Sequence, residues 1–360
     1  MLICRSDVLT QPELAELTAV TRQFGQHFHT AGRVSGGFSD ASVYRIEVAG
    51  QQPLAVRRTP TTSAVELSRL TALHHLLRHV SQRGVTEVPV PLTVEPGPGL
   101  PSSLTPETIV RRPSGWWHVE PWLPGSACAG QQLSAVQIDN AVELIHRFHT
   151  AAADFAARQT PDCRFSLRIG ISPAVTRRLE LVERLAAGDL WRLQQAVACD
   201  QAAAFATPAG EFCSLLEKAV PRLLARLRSL ARRHFPLQPV IRDLWSAHIL
   251  FTEDRVTGLI DLTAGSTDHV AVDLARLQRS WFAADSGRIC SLISRWQRLR
   301  PFSAAEYELL SVLDESSVFL SPCTWLQRRY REHQTLATSR PLVVARFRSL
   351  VQVATGFEPL

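Results

Sequence analysis

Two aspartates, Asp243 and Asp261, frame a stretch in which short apolar runs alternate with a polar turn. The apolar runs at 249–251 and 256–260 predict two short strands joined by a tight turn. Such a hairpin would bring both carboxylates to the same end, where they could orient a hydroxyl group and hold a divalent cation. The alternative at this point is a surface hairpin that carries two unrelated acidic residues.

The motifs around these aspartates resemble those of the aminoglycoside phosphotransferase and choline/homoserine kinase-like family, whose pattern is HGDLxxxNILF, GLIDF and DPxxDLA. The chain carries similar segments in the same order: IRDL at 241–244, HILF at 248–251, GLIDL at 258–262 and DHVAVDLA at 268–275. The resemblance implies that Asp243 is the catalytic aspartate, which orients the acceptor hydroxyl. It also implies that Asp261 holds a Mg²⁺ ion that bridges the phosphates of ATP.

Two departures from the family pattern bear directly on the chemistry of the site. Ile241 replaces the histidine that precedes the catalytic aspartate, and His248 replaces the asparagine that is the second metal ligand. Because Mg²⁺ prefers hard oxygen ligands and imidazole suits softer metals, His248 predicts a weakened second metal position. An inactive nucleotide-binding or scaffold protein on the same fold, a pseudokinase, therefore stays an alternative to an active enzyme.

A glycine-rich segment, GRVSGGFSD at 32–40, precedes a strand-like alternation at 43–48. Glycines let the backbone approach a nucleotide closely and leave N–H groups free to bind phosphate oxygens. Alone, such a segment more often indicates only a hairpin. In the order found here it resembles the family's phosphate loop, which implies that the residues contacting ATP include Gly36, Gly37, Phe38 and Ser39.

The next predicted strand, at 54–57, ends in Arg57, where the kinase pattern has lysine. The resemblance implies that Arg57 reaches the phosphates of ATP and is held by a carboxylate; an exposed edge-strand arginine is the alternative. A helix predicted at 63–80 places Glu66 at capping-box spacing from Ser63. Glu66 therefore either closes the helix N-terminus or pairs with Arg57, and the ion pair is the preferred interpretation.

Two further strands, predicted at 109–111 and 116–120, are followed by the sequence PWLPG. This order resembles the family's hinge, where main-chain groups bind adenine. The resemblance implies that Glu120 supplies the C=O group and Trp122 the N–H group, with Pro121 between them, where its missing N–H costs nothing. A simple Pro-Gly linker between domains is the alternative, and it is compatible with the hinge.

The resemblance covers most of the chain and implies an α+β, bilobal protein-kinase-like fold. The expected N-lobe, residues 1–122, is an antiparallel sheet with one helix, and it binds the nucleotide. The expected C-lobe, residues 123–360, is mainly helical and contains the catalytic loop at 240–262 and the acceptor-site helices. The later helices are predicted at 274–284, 287–299, 303–319, 323–334 and 340–353, and Pro301, Pro322 and Pro341 punctuate them.

Length and composition indicate a globular protein that is large enough for two lobes. The chain has 360 residues and a formal net charge of +6, with Lys218 as its single lysine. Its seven cysteines are scattered, which argues against a zinc ribbon or a disulfide framework. No apolar run approaches the roughly 18 residues of a membrane-spanning helix, and the N-terminus lacks a signal peptide's apolar core, so a cytoplasmic location is expected.

The arginine-rich segment at 221–235 leaves a third class of function open. Its leucines form one helix face and its arginines lie largely elsewhere, so it could bind nucleic acid or be the solvated face of a buried helix. The solvated face is the favoured interpretation, and neither nucleic acid nor membrane is an expected partner. The resemblance implies a small-molecule hydroxyl acceptor, with ATP and Mg²⁺ as cofactors; the sequence predicts neither the acceptor's identity nor the oligomeric state.

Overall fold

A computed structural model describes residues 9–34, 41–61, 63–95, 107–158, 164–332 and 341–357. In chain order their strands are β1 (Phe28–Val34), β2 (Ser42–Val48), β3 (Leu54–Thr59), β4 (Val110–Arg112), β5 (Gly115–Pro121), β6 (Ser126–Ala127), β7 (Arg168–Gly170), β8 (Phe235–Val240), β9 (Ile249–Thr252), β10 (Arg255–Leu259) and β11 (Ser266–Asp268). Their α-helices are α1 (Gln11–Thr21), α2 (Ala64–Gln82), α3 (Ala135–Ala156), α4 (Pro173–Arg184), α5 (Leu190–Ala198), α6 (Ala203–Leu230), α7 (Ala271–Phe282), α8 (Ser286–Leu299), α9 (Ala304–Tyr330) and α10 (Pro341–Thr355). None of these described helices combines the length and the apolar character needed to cross a membrane.

Contacts within the chain define two compact units. Unit 1 has the bounds Met1–Phe165 and Ser246–Gly265, and unit 2 has the bounds Ser166–Trp245 and Ser266–Leu360. The chain therefore passes between the units twice in the segment that carries the catalytic motifs. The predicted lobe boundary between residues 122 and 123 stays a prediction.

Unit 1 is built on a five-stranded antiparallel sheet of order β1-β2-β3-β5-β4. Along β2 the residues alternate between buried and partly exposed, because one face of the strand lies on a core. Tyr44, Ile46 and Val48 of β2 belong to the same buried cluster as Leu17 and Val20 of α1. The predicted antiparallel sheet in the N-terminal region is therefore confirmed.

A second sheet of unit 1, of order β10-β9-β6, contains the hairpin predicted from the apolar runs. Strands β9 and β10 are antiparallel, and Arg255 pairs with Thr252 across the turn. Gly258 lets this hairpin pack closely, since a Cβ atom there would lie 3.0 Å from the Cβ of Leu123. The hairpin prediction is confirmed, and the strand β10 ends two residues before Asp261.

Unit 2 is mainly helical and contains a three-stranded sheet of order β11-β8-β7. Its long helices α6 and α9 pack against each other and against α10. Helix α9 continues through Pro322, so the prediction that this proline separates two helices is wrong. Proline removes one backbone hydrogen bond at a cost of roughly 3 kcal/mol. The helix retains its direction because residues on both sides of the proline, including Phe319 and Leu326, are buried in the unit.

Candidate active site

Asp261 follows the β9–β10 hairpin in unit 1. The N–H of Ile260 donates to the carbonyl of His248 at 2.9 Å, which extends the pairing of the two chain segments beyond β10. Asp261 itself has a φ angle of 58°, in the left-handed region that residues other than glycine seldom adopt. Backbone strain of this kind is concentrated at functional sites, and here it sets the direction of a carboxylate.

The two residues predicted to hold a metal, Asp261 and His248, lie side by side. The distance from His248 Nε2 to Asp261 Oδ2 is 3.6 Å. The other carboxylate oxygen, Oδ1, accepts hydrogen bonds from Thr263 Oγ1 at 3.3 Å and from Arg57 Nη1 at 3.4 Å. Within the described ranges no group of three or more His, Cys, Asp or Glu side chains could hold a metal ion by itself. A cation at Asp261 would therefore need ligands beyond the His, Cys, Asp and Glu side chains of these ranges.

Arg57 is the second charged group at this place, and it forms a buried ion pair. Its side chain is 16% exposed, and its Nε donates to Glu120 Oε1 at 2.6 Å. Burial by itself would raise the pKa of Glu120, but Arg57, together with His118, outweighs burial and lowers that pKa to about 2. In the same way, burial would lower the pKa of Arg57, and the charges of Glu120 and Asp261 raise it instead. Arg57 thus links the carboxylates of Glu120 and Asp261 as a permanent cation.

The predicted ion pair between Arg57 and Glu66 is wrong. Glu66 instead pairs with Arg69, one turn further along α2, at 2.9 Å. Its predicted capping box is also not formed, since the side chain of Ser63 makes no cap hydrogen bond. The register of β3 and β5 gives the reason, because Arg57 lies opposite His118. Glu120 is two residues further along β5, so its side chain is on the same face of the sheet and diagonal to Arg57.

The hinge segment differs from the prediction in its main-chain hydrogen bonds. The N–H of Trp122 donates to the carbonyl of Pro53 at 2.9 Å, so it is not available to adenine in this structure. Along an antiparallel ladder, hydrogen-bonded pairs of residues alternate with pairs that are not hydrogen-bonded. Pro121 and Leu54 form the pair next to the bonded one, so Pro121 needs no N–H group to pair with β3. Pro121 thus fits the strand for the predicted physical reason, while Glu120 contributes its carboxylate to Arg57.

The other predicted nucleotide contacts belong to the glycine-rich segment between β1 and β2. Gly36, Gly37, Phe38 and Ser39 lie outside the described residues, and their proposed contact with phosphate stays a prediction. The strands on either side of them are antiparallel partners, with Val34 opposite Val43. A small cavity lies at the ion pairs of Arg57: it is lined by Arg57, Glu120 and Asp261 and by the apolar residues Leu73, Leu77 and Leu262.

Asp243, the predicted catalytic residue, lies in unit 2 and is 43% exposed. Its Oδ1 accepts hydrogen bonds from Trp245 Nε1 at 2.6 Å and from Arg276 Nη2 at 3.1 Å. The guanidinium of Arg276 also stacks on the Trp245 ring, with its Cζ 3.7 Å from the ring centroid. Sequence reasoning missed both neighbours, although Arg276 directly follows the DLA motif.

Asp273 holds the backbone that leads into Asp243. Its two carboxylate oxygens accept the N–H groups of Ile241 at 2.9 Å and of Arg242 at 2.6 Å. Arg242 has a φ angle of 68°, and it occupies the position where the family motif has glycine. A left-handed residue that is not glycine costs roughly 1–3 kcal/mol. The buried carboxylate of Asp273 compensates this strain by bonding to both amides of the turn.

We expect the substitution Asp273→Ala to lower the free energy of unfolding by about 2–4 kcal/mol, because it leaves two N–H groups without an acceptor in a strained turn. Urea unfolding of the variant and the native chain measures this loss. Asp285→Ala is the matched control, since Asp285 caps the N-terminus of α8 at an exposed position and its removal costs about 0.5–2 kcal/mol. An equal or larger loss in the control would contradict the account of Asp273.

Four arginines of α6 and of the residues that follow it form ion pairs with carboxylates of unit 2. Glu315 pairs with both Arg222 and Arg226. Arg228 pairs with Glu183 at 3.0 Å, and Arg233 pairs with Glu308 at 2.5 Å. These pairs favour the interpretation of this segment as the polar face of a packed helix over that of a surface for nucleic acid.

Comparison with known proteins adds two findings. Residues 30–307 match the model of the phosphotransferase enzyme family. A homoserine kinase from Brucella anthropi is 25% identical over 244 residues, which cover 66% of this chain and 62% of that protein. The match therefore spans less than two thirds of that relative's length.

Solved structures share the fold at low sequence identity. Spectinomycin phosphotransferase in complex with ADP and spectinomycin has a TM-score of 0.67 at 13% identity, with 97% of this chain and 98% of that chain covered. An amicoumacin kinase in complex with AMP-PNP and Ca²⁺ has a TM-score of 0.62 at 12% identity, with 95% and 96% covered. The predicted fold class, an α+β protein-kinase-like fold with a sheet-containing N-terminal and a helical C-terminal region, is confirmed.

Proposed function

This chain belongs to the phosphotransferase enzyme family, and we propose that it transfers the γ-phosphate of ATP to a hydroxyl group of a small molecule. The observation that carries the proposal is the contact of Arg57 with Asp261, which joins the expected phosphate-binding cation to the expected metal-binding carboxylate. ADP and AMP-PNP in the two neighbouring structures support an adenine nucleotide. Use of ATP also agrees with the cytoplasmic location expected from the sequence.

The residues around Asp261 fit a Mg²⁺ ion that is shared with a nucleotide. Mg²⁺ is commonly held by one or two carboxylates, with substrate phosphates and water as its other ligands. Asp261 supplies one carboxylate, and its Oδ2 faces His248 rather than a second carboxylate. When bound, the ion would neutralise charge on the transferred phosphoryl group. Asp243 would orient the acceptor hydroxyl and accept its proton. Positioning of the hydroxyl against the phosphate would supply much of the acceleration of phosphate transfer.

Nucleotide binding can be tested through Arg57. Mg–ATP at a hundredfold excess over its Kd would stabilise the native chain by about 2.7 kcal/mol, and the melting temperature would rise. Arg57→Ala is expected to lose most of this rise, and Arg58→Ala, the neighbouring arginine that bonds to Ser42, is expected to keep it. The readout is the ligand-induced shift of each variant, since Arg57→Ala also leaves Glu120 unpaired. If Arg57→Ala and Arg58→Ala lose equal parts of the ATP-induced rise in melting temperature, Arg57 is not part of the nucleotide site.

A pseudokinase is the second candidate, and His248 is the observation that favours it. An imidazole stands 3.6 Å from Asp261, at the position where the family motif has an amide oxygen. If the chain is an active kinase with a weakened metal position, His248→Asn restores an oxygen ligand and keeps or raises the rate of Mg²⁺-supported transfer. The measurement is phosphate transfer by both proteins in Mg²⁺ and in Mn²⁺. Loss of an existing activity in His248→Asn would show that the imidazole has its own role.

The relatives indicate the size and chemistry of the acceptor. Homoserine and spectinomycin, after which two of them are named, are small molecules that carry hydroxyl groups. We therefore take the acceptor of this chain to be a small molecule with a hydroxyl group, and the surroundings of Asp243 restrict its chemistry further.

A further inference from the structure

We infer that Arg178 and Arg276 form a subsite in unit 2 that binds the anionic group of the acceptor, a carboxylate or another oxyanion, beside Asp243. This inference rests on the function proposed above, because it assumes that Asp243 receives the acceptor hydroxyl. The subsite follows from two partly buried guanidinium groups, each of which has a buried N–H nitrogen that forms no hydrogen bond with the described residues.

Arg178 is a half-buried cation that no carboxylate of the described residues contacts. Its Nη2 donates to Ser317 Oγ at 2.8 Å, and its buried Nη1 has no hydrogen-bond partner among the described residues. No ion pair of Arg178 is found in the part of the chain that the structure describes. Burial lowers the pKa of Arg178 to about 10, so the group is still charged at neutral pH. Asp268 and Asp314 act on Arg178 from a distance, but no described carboxylate contacts it. Desolvating such a charge is costly, and an oxyanion at Nη1 would relieve that cost.

Arg276 places the subsite next to the catalytic aspartate. Its Nη1 donates to Ser321 Oγ at 3.2 Å, and its Nη2 donates to Asp243 Oδ1 at 3.1 Å. Ser317 and Ser321 are four residues apart on α9, so the two arginines are anchored to one face of this helix about 6 Å apart along its axis. Burial is the main cause of the lowered pKa of Arg178; the charge of Asp268 raises that pKa, and repulsion from Arg276 lowers it.

The carboxylates near these arginines are committed to other partners. Asp268 accepts hydrogen bonds from the hydroxyl of Ser172 at 2.5 Å and from the N–H of Ala174 at 2.9 Å. Asp314 accepts two hydrogen bonds from Arg279, at 2.7 and 2.5 Å. Asp273 is bonded to the turn before Asp243, as described above. Positive charge therefore remains at Arg178, and an anionic acceptor is favoured over a cationic one.

This arrangement predicts a compact acceptor. A guanidinium group binds a carboxylate or phosphate through two parallel hydrogen bonds, which fixes the orientation of the molecule as well as its charge. With its anionic group at Arg178 and Arg276, the acceptor would present a hydroxyl only a few bonds away to Asp243. Arg178 is then a positioning residue for the transfer, and it selects acceptors by charge.

The binding test uses inorganic sulfate as the probe and needs no catalysis. Sulfate at millimolar concentration is expected to raise the melting temperature of the native chain above that in sodium chloride of equal ionic strength, with saturation. Arg178→Gln is expected to lose the saturable part, and Arg228→Gln, which removes an arginine paired elsewhere with Glu183, is expected to retain it. Arg178→Met provides a second variant that removes the charge and keeps a side chain of similar length if the glutamine variant does not fold. Equal sulfate effects in the native chain and in Arg178→Gln, or in Arg178→Met if only that variant folds, would overturn the subsite.

The acceptor test compares L-homoserine with its amide, which keeps the hydroxyl group and lacks the carboxylate. The native chain is expected to prefer the acid by about 10-fold or more in kcat/KM, and Arg178→Gln is expected to lose this preference. Transfer to both compounds without preference would overturn the inference and leave the phosphotransferase function standing. If neither compound is phosphorylated, saturable sulfate binding that depends on Arg178 supports the anion subsite, and its absence overturns it. These outcomes separate failure of the subsite from failure of the proposed function.

Discussion

Replacing Asp243 by asparagine is expected to lower the rate of phosphate transfer by about 10²- to 10⁴-fold, the usual contribution of a general base. Asparagine keeps an oxygen that can accept from Trp245 and Arg276, so the local structure is retained while the proton acceptor is lost. Because Asp243 acts on the acceptor, the Kd of Mg–ATP is expected to change by less than about threefold. Initial rates and nucleotide titration of the same preparation measure both quantities.

The control for this substitution is Asp285→Asn, which changes an exposed capping aspartate of unit 2 in the same way. It is expected to transfer phosphate at the native rate. If Asp243→Asn keeps more than about a tenth of the native rate, Asp243 is not the base. If it loses nucleotide binding as well, the residue has a different role from the one proposed.

Removing the carboxylate of Asp261 is expected to abolish the metal dependence of nucleotide binding and to lower transfer by on the order of 10³-fold or more. Its Oδ1 is bonded to Thr263 and Arg57, and Oδ2 is the oxygen that faces His248. Asp261→Ala removes both oxygens but also strains the left-handed backbone. Asp261→Asn tolerates that backbone and keeps one oxygen, so it separates loss of charge from loss of fold.

The measurement is the Kd for ATP with Mg²⁺ and with a chelator, in the native chain and in both Asp261 variants. In the variants the two values are expected to converge. Asp254→Asn is the control, since Asp254 lies in the exposed turn of the same hairpin and bonds to Ser134. A full Mg²⁺ effect in Asp261→Asn would show that the cation is held elsewhere.

The parts of the site that the sequence could predict are those carried by local patterns. The apolar runs of the β9–β10 hairpin define two strands and a turn within a few residues, and their position places Asp261 after a strand. The same local logic predicted the strands around Arg57 and the helix that contains Glu66. These elements can be predicted without knowing which residues that are distant in sequence contact each other.

The errors arose where distant segments decide the outcome. Arg57 has its carboxylate on β5 rather than on α2, because the register of two strands brings Glu120 onto its face. Pro322 was predicted to end a helix, although burial on both sides keeps α9 continuous. Arg178 and Arg276 come from separate helices and meet only through α9, and spacing along the chain carries no signal of such a pair.

The most direct test of the central claim is phosphorus NMR of the native chain incubated with ATP, Mg²⁺ and a panel of hydroxyl-bearing small molecules that includes L-homoserine. The account predicts ADP and a new phosphomonoester with at least one acceptor, and neither product with Asp243→Asn. Binding of ATP without any phosphomonoester across the panel, or release of inorganic phosphate alone, would contradict the claim that this chain is a small-molecule phosphotransferase.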